Sequence, residues 1–109
     1  MAMVVKRFDV YLVNLDPIVG SEIQKTKPCL IISPDEMNRN IRTVIIAPMT
    51  STQKDYPTRV SCLFTKKQGQ IVLDQIRTIE TTRLIKKLGT LDSRAQSGVI
   101  AILQRLFAF

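Results

Sequence analysis

Prolines and polar segments cut this chain into short apolar runs, and that punctuation constrains the fold more than any other feature. Residues 8–15 (FDVYLVNL) are rich in β-branched and aromatic side chains with apolar groups on both faces, which reads as a buried strand. Asp16-Pro17 ends it, because proline has no N–H for a ladder and restricts the residue before it. Residues 28–33 (PCLIIS) form a second run, closed by Ser33-Pro34. There Ser33 is placed to cap a helix of one or two turns ending near Asn40, with proline at the first helical position and Asp35 and Glu36 in the first turn. Residues 43–49 (TVIIAPM) make a third run. Residues 59–64 alternate Val60, Cys62 and Phe64 with polar neighbours, as a half-exposed strand does. Residues 66–69 read as a turn and 70–73 as a strand continuing towards Ile79. Residues 80–83 read as one helical turn, and 84–91 as a last strand around Gly89.

Only then does a helical period begin. Asp92 or Ser93 caps it, and Val99, Ile100, Leu103, Leu106 and Phe107 recur at three- and four-residue spacing, with Gly98 weakening the helix somewhat. Many short strands and one helix predict a mainly β fold with minor α: a small, strongly curved antiparallel barrel or sandwich with the helix packed against it. The 109 residues make one domain, 1–109, and 45% hydrophobic content suffices for a core. A domain of this size buries about two-thirds of its unfolded surface, so a dimer that shares apolar area fits the composition. No apolar run approaches the roughly 18 residues of a membrane span. Residues 1–5 lack the basic head and long apolar stretch of a secretory leader. Cys29 and Cys62 stand far apart without a CxxC partner and read as buried, reduced thiols of a cytosolic protein.

Charge narrows the chemistry. Sixteen basic against nine acidic residues give a net +7, and there is no histidine. The excess points to a polyanionic partner, with bases clustered at Lys25 and Lys27, Arg39 and Arg42, Lys66 and Lys67, and Arg83, Lys86 and Lys87. Without histidine the commonest general acid–base and the commonest metal ligand are missing. There is also no Ser-His-Asp set, no GxSxG, no metal-ligand spacing and no glycine-rich phosphate loop. Three polar segments remain. Residues 20–28 (GSEIQKTKP) combine a carboxylate, two ammonium groups, two hydroxyls and an amide. They make either a solvated hinge or a loop that grips phosphate. Thr50, Ser51 and Thr52 put three hydroxyls at the end of a buried strand, as turn caps or as donors to a phosphate. Asp74, Gln75 and Arg77 interrupt a strand pattern that otherwise excludes such residues, through a salt link or through contact with a nucleic acid. The polar loops 17–27 and 50–58 follow the first and third strands and are expected to meet at one rim.

Taken in order, Arg7-Phe8-Asp9-Val10-Tyr11, Gly20-Ser21-Glu22 followed by Lys27-Pro28, Ile32-Ser33-Pro34, residues 44–51 (VIIAPMTS) and residues 74–78 (DQIRT) resemble the MazF/PemK toxins of bacterial toxin–antitoxin pairs. The likeness covers about residues 6–107. It implies a small SH3-like barrel of the CcdB/PemK type with a C-terminal helix, and a homodimer in the bacterial cytoplasm. It also implies a sequence-specific, metal-independent endoribonuclease acting on single-stranded RNA, with no cofactor. The RNA 2′-hydroxyl would be the nucleophile, leaving a 2′,3′-cyclic phosphate and a 5′-hydroxyl. The resemblance further implies a cognate antitoxin whose acidic C-terminal tail covers the RNA groove. Glu22 matches a carboxylate proposed as general base, and Thr50 a threonine at the scissile phosphate. Lys27 stands where the family carries its catalytic arginine. Ser21, Gln24, Lys25, Ser51, Thr52, Asp74, Gln75 and Arg77 are the accompanying RNA-contact candidates, and Asp74 competes with Glu22 for the role of base. Two rival readings follow from the same residues: a catalytically weakened RNA- or antitoxin-binding module, because lysine replaces arginine at position 27, and a gyrase poison of the CcdB type.

Overall fold

The computed structural model describes residues 4–15 and 25–109. It is a curled antiparallel sheet of seven strands with a short helix and a long one. The strands are β1 (Asp9–Asn14), β2 (Thr26–Ile31), β3 (Thr43–Thr50), β4 (Arg59–Phe64), β5 (Lys67–Val72), β6 (Arg77–Glu80) and β7 (Leu84–Thr90); the helices are α1 (Asp35–Asn40) and α2 (Ser93–Phe107). Neighbours run β4-β5-β3-β2-β1-β7, and β6 pairs with β3 off that path.

Strand β3 holds the sheet together. One edge pairs with β2 (Cys29 with Pro48, Leu30 with Ala47, Ile31 with Ile46). Its other edge serves two partners in turn. Residues from Thr43 to Ile46 face β6, and Met49 and Thr50 face β5. Pro48 sits where the partner changes. A proline has no N–H to donate, so a strand tolerates it best where a ladder is interrupted.

The two faces of the sheet bury separate clusters. One gathers Val10, Leu30, Ala47, Met49, Ile71 and Leu73 under Ala95 and Val99 of α2. The other gathers Tyr11, Val13, Cys29, Ile31, Val44, Ile46 and Ile79. That is why β1, β2 and β3 are apolar on both faces: each alternates between two cores. Helix α2 is capped by Asp92, whose carboxylate accepts from the Ala95 N–H at 3.3 Å. Gly98 has a packing reason, since a Cβ there would lie 3.3 Å from Val60 Cγ1 on β4. The far end of the stripe is not buried: Leu106 and Phe107 remain exposed.

The structure departs from the sequence reading at four places. Ser33 does not cap α1; Pro34 occupies the N-cap without a side-chain bond. Ser33 is buried instead, donating to Asn38 Oδ1 (2.6 Å) and accepting from the Ile45 N–H (3.0 Å), which bolts the helix to β3. The turn expected at 66–69 is a two-residue hairpin at Thr65 and Lys66, both at positive φ (48° and 65°), between the paired Phe64 and Lys67. Positive φ at both turn residues matches the twist of the flanking strands. Gly69 belongs to β5, where a Cβ would come within 3.1 Å of the Thr50 carbonyl oxygen. The strand expected through 70–79 is broken by a 3-10 turn, Leu73–Gln75, which carries the chain from one stretch of β3 to the other. Finally, Lys27, expected in a loop, lies within β2, paired with Val13.

A buried carboxylate ties the β1–β7 edge. Asp9, 3% exposed, accepts from the Lys6 N–H (3.0 Å) and the Thr90 hydroxyl (3.2 Å) and meets the Lys87 ammonium at 3.3 Å. Removing it leaves those donors facing a cavity. Asp9→Ala is expected to lower unfolding free energy by about 1–3 kcal/mol, and Asp9→Asn by less, both measured by urea denaturation at neutral pH.

Candidate active site

The register of β2 on β3 builds the site. The β2–β3 ladder ends at the Cys29–Pro48 pair, and beyond it lie Lys27 on β2 and Thr50 on β3. Both residues line a cavity of about 340 Å³, joined by Ser51 from the end of β3 and by Lys67 and Gln68 from the β4–β5 hairpin. Pro28, Met49, Cys62 and Phe64 supply an apolar floor. Two ammonium groups from different strands thus open onto one hollow, and neither is in an ion pair among the described residues. The Thr50 Oγ1 accepts from the Thr52 N–H at 3.2 Å, which leaves its own proton free to donate outward. Unpaired cations and a donor hydroxyl beside a low-dielectric floor suit an anion.

The other sequence candidates are placed as follows. Ser21, Glu22 and Gln24 lie outside the described residues. Lys25 is exposed, and its carbonyl accepts from the Leu15 N–H at 2.8 Å. Thr52, Asp74, Gln75 and Arg77 are exposed and do not line the cavity. Arg77 pairs with Ile46 on β3. Its charge and that of Lys27 both act to lower the Cys29 thiol. Desolvation outweighs them and pushes that thiol up to about 12, so Cys29 is a neutral core residue at physiological pH. Cys62 is likewise raised by burial and by the nearby Asp92.

Asp74 is engaged elsewhere. Its Oδ1 accepts from the Thr58 hydroxyl (2.9 Å) and from Arg59 Nε (3.2 Å), and the Arg59 guanidinium lies 5.0 Å from the centre of the Tyr56 ring. Desolvation would raise the Asp74 carboxyl. The Thr58 and Arg59 hydrogen bonds, its own backbone and the Arg59 charge together prevail and hold it below the usual range. A carboxylate so held is a weakened proton acceptor. Its salt link runs to Arg59, a base on a strand distant in sequence.

Sequence reasoning missed Lys67 as a site residue, since only its place in a basic cluster was visible. It missed the apolar floor as well. The β4–β5 register brings these groups to Thr50, and no local signal could report it. Among the described residues no group of three or more His, Cys, Asp or Glu side chains is placed to hold a metal ion. No helix among them is long and apolar enough to cross a membrane.

Comparison with known proteins places this arrangement. Residues 6–107 match the family described as PemK-like, MazF-like toxin of type II toxin-antitoxin system. The chain belongs to this family. It is 39% identical over 109 residues to Endoribonuclease EndoA of Bacillus subtilis, covering 94% of this chain and 93% of that one. It is 37% identical over 100 residues to Endoribonuclease MazF of Staphylococcus saprophyticus, covering 86% and 83%. The fold is also that of MazF from Deinococcus radiodurans (TM-score 0.81, 23% identity, 99% and 100% covered). A mycobacterial endoribonuclease solved with its cognate antitoxin is similar too (TM-score 0.82, 23% identity, 96% and 98% covered). This family chain carries Lys27 immediately before Pro28, on a strand and at the cavity.

The Asp74 arrangement gives a pH-dependent stability. A carboxyl whose folded pKa is depressed stabilises the fold above its unfolded value, here 3.8, and the gain is lost as pH falls through the folded value. Asp74→Asn is expected to melt below wild type at pH 7, with the gap closing as pH drops below 3.8. A gap unchanged down to pH 2 would show that the charge on Asp74 contributes nothing.

Proposed function

We propose that this chain is a toxin endoribonuclease that cuts single-stranded RNA at a specific sequence, without a metal ion, by in-line attack of the strand's own 2′-hydroxyl. One observation carries the reading: Lys27 and Thr50 line one cavity together with Lys67, in a chain whose relatives are named endoribonucleases. The 2′-oxygen bonds to phosphorus as the bond to the 5′-oxygen breaks. The 2′-hydroxyl proton goes to Glu22, since the Asp74 carboxylate, bonded to Thr58 and Arg59 and lowered in pKa, is a weakened proton acceptor. Lys27 and the Thr50 hydroxyl stabilise the charge building on the phosphoryl oxygens. Lys27 then protonates the departing 5′-oxygen. Arg77 contributes charge but no proton, because a guanidinium does not deprotonate near neutral pH. The products are a 2′,3′-cyclic phosphate and a 5′-hydroxyl. The substrate supplies the nucleophile, so a protein without histidine needs only to position it, to stabilise charge and to move the two protons through Glu22 and Lys27.

The cationic mouth also suits a cognate antitoxin whose acidic C-terminal tail competes with RNA, with an affinity that falls as salt rises. We further propose a homodimer working in the bacterial cytoplasm. Lys27 favours a second reading, a weakened relative that binds RNA or antitoxin but cleaves poorly. Lysine offers a point charge where arginine grips a phosphate with two parallel bonds.

Incubating the purified chain with a long transcript in excess chelator tests the proposal, with the ends of the products characterised. Cleavage is expected, with 5′-hydroxyl ends, and a fully 2′-deoxy strand should stay intact. Cleavage of the deoxy strand, or 5′-phosphate ends, overturns the mechanism. Lys27→Ala and Thr50→Ala are each expected to lower kcat about 100- to 1,000-fold with melting temperature nearly unchanged. Cleavage that appears only in Lys27→Arg establishes the weakened reading.

A further inference from the structure

Resting on the endoribonuclease reading, we infer that Gln70 is a positioning residue that shapes the segment after Thr50 for the RNA strand. Gln70 is a buried amide, 5% exposed, in a strand beside Ile71 and Val72. Its backbone pairs with Thr50 on β3 and with Ser61 on β4. The side chain does something the ladder does not. Oε1 accepts from the Lys54 N–H at 3.0 Å, and Nε2 donates to the Lys54 carbonyl at 2.8 Å. One side chain thereby imitates a paired strand residue and closes the chain between Thr50 and Lys54 into a fixed arc. Within that arc the Thr52 N–H donates to the Thr50 hydroxyl oxygen at 3.2 Å.

The fold does not need this amide. Gln70 alternates with Ile71 along β5 and so points away from the cluster that Ile71 joins, and Lys54 is exposed, so water could take both of its backbone groups. Replacing a buried polar group whose partners can turn to water costs little stability. What the clamp does supply is order in a segment that carries Ser51 at the cavity and, three residues on, the exposed Lys54. A cation held in place before the strand arrives binds phosphate without paying to order the loop at each encounter. Thr50 is held by β3 itself, so the chemical step does not depend on the clamp. Gln70 therefore acts on binding of nucleotides beside the scissile phosphate, through Lys54.

The test is steady-state cleavage of a short RNA by Gln70→Leu, Lys54→Ala and the double variant, with circular dichroism melts of each. Gln70→Leu is expected to keep its melting temperature and kcat and to raise KM about tenfold. It should also flatten the dependence of log KM on log salt by about one unit, the signature of one lost phosphate contact. The double variant should be no worse than Lys54→Ala alone, because the two act as one unit. A folded Gln70→Leu with KM within twofold of wild type, or additive effects in the double variant, overturns the inference. If Gln70→Leu does not fold, Gln70→Glu decides. Its carboxylate repels the Lys54 carbonyl at high pH but regains a donor when protonated, so its KM relative to wild type should fall as pH falls. A ratio flat with pH overturns the inference. Wild-type protein that leaves RNA intact removes the endoribonuclease reading itself, whereas cleavage unaffected by Gln70 removes only the clamp.

Discussion

The pairing of one strand with three neighbours underlies everything else in this molecule. Strand β3 holds β2 along one edge and divides its other edge between β6 and β5. The division requires a break in hydrogen bonding along that edge, and Pro48, which has no N–H, stands at the break. Because β5 takes up β3 only at Met49 and Thr50, the β4–β5 hairpin is swung beyond the end of β3 and does not continue the β6 ladder. The hollow between that hairpin and the start of β2 is the candidate site. Gly69 makes the approach possible, since any Cβ there would press on the Thr50 carbonyl.

The same geometry explains why a small cationic domain can gather charge without unfolding itself. Lys27 and Lys67 come from strands whose backbones are held by ladders, so the ammonium groups converge at no cost in loop entropy. Beneath them lie Pro28, Met49, Cys62 and Phe64, which pack but hold no countercharge. Cations that form no ion pair among the described residues and are backed by an apolar floor cost little to keep and attract an incoming phosphate strongly. The carboxylates that are well satisfied sit elsewhere: Asp9 binds the β1–β7 edge, and Asp74 binds Thr58 and Arg59. They serve the scaffold, and neither lines the cavity.

Much of the architecture was legible in the residues, for reasons that particular segments make plain. The β-branched runs over 8–15, 28–33 and 43–49 mark strands because such side chains crowd a helix and fit a pleated surface. Asp92 marks the start of α2 because a carboxylate there satisfies an otherwise unbonded N–H. The misreadings share one cause. Ser33 has the chemistry of a cap but is drawn to Asn38 and to the Ile45 N–H on a strand distant in sequence. Gly69 has the chemistry of a turn but is needed for a close approach to β3. In both cases a long-range contact outbid a local preference.

By itself, the sequence determined the mainly β class with one long helix, the polyanion-seeking charge, the absence of histidine chemistry and the resemblance carried by its ordered motifs. These follow from composition, periodicity and short-range spacing, which are properties of the chain before it folds. Only the tertiary structure decided that Lys27 sits on a strand and shares a cavity with Thr50 and Lys67, that Asp74 answers to Arg59, and that Gln70 clamps Lys54. Each is a contact between residues far apart in the chain, set by strand register. A shift of one residue in register turns a side chain to the opposite face, so no local pattern could have fixed them.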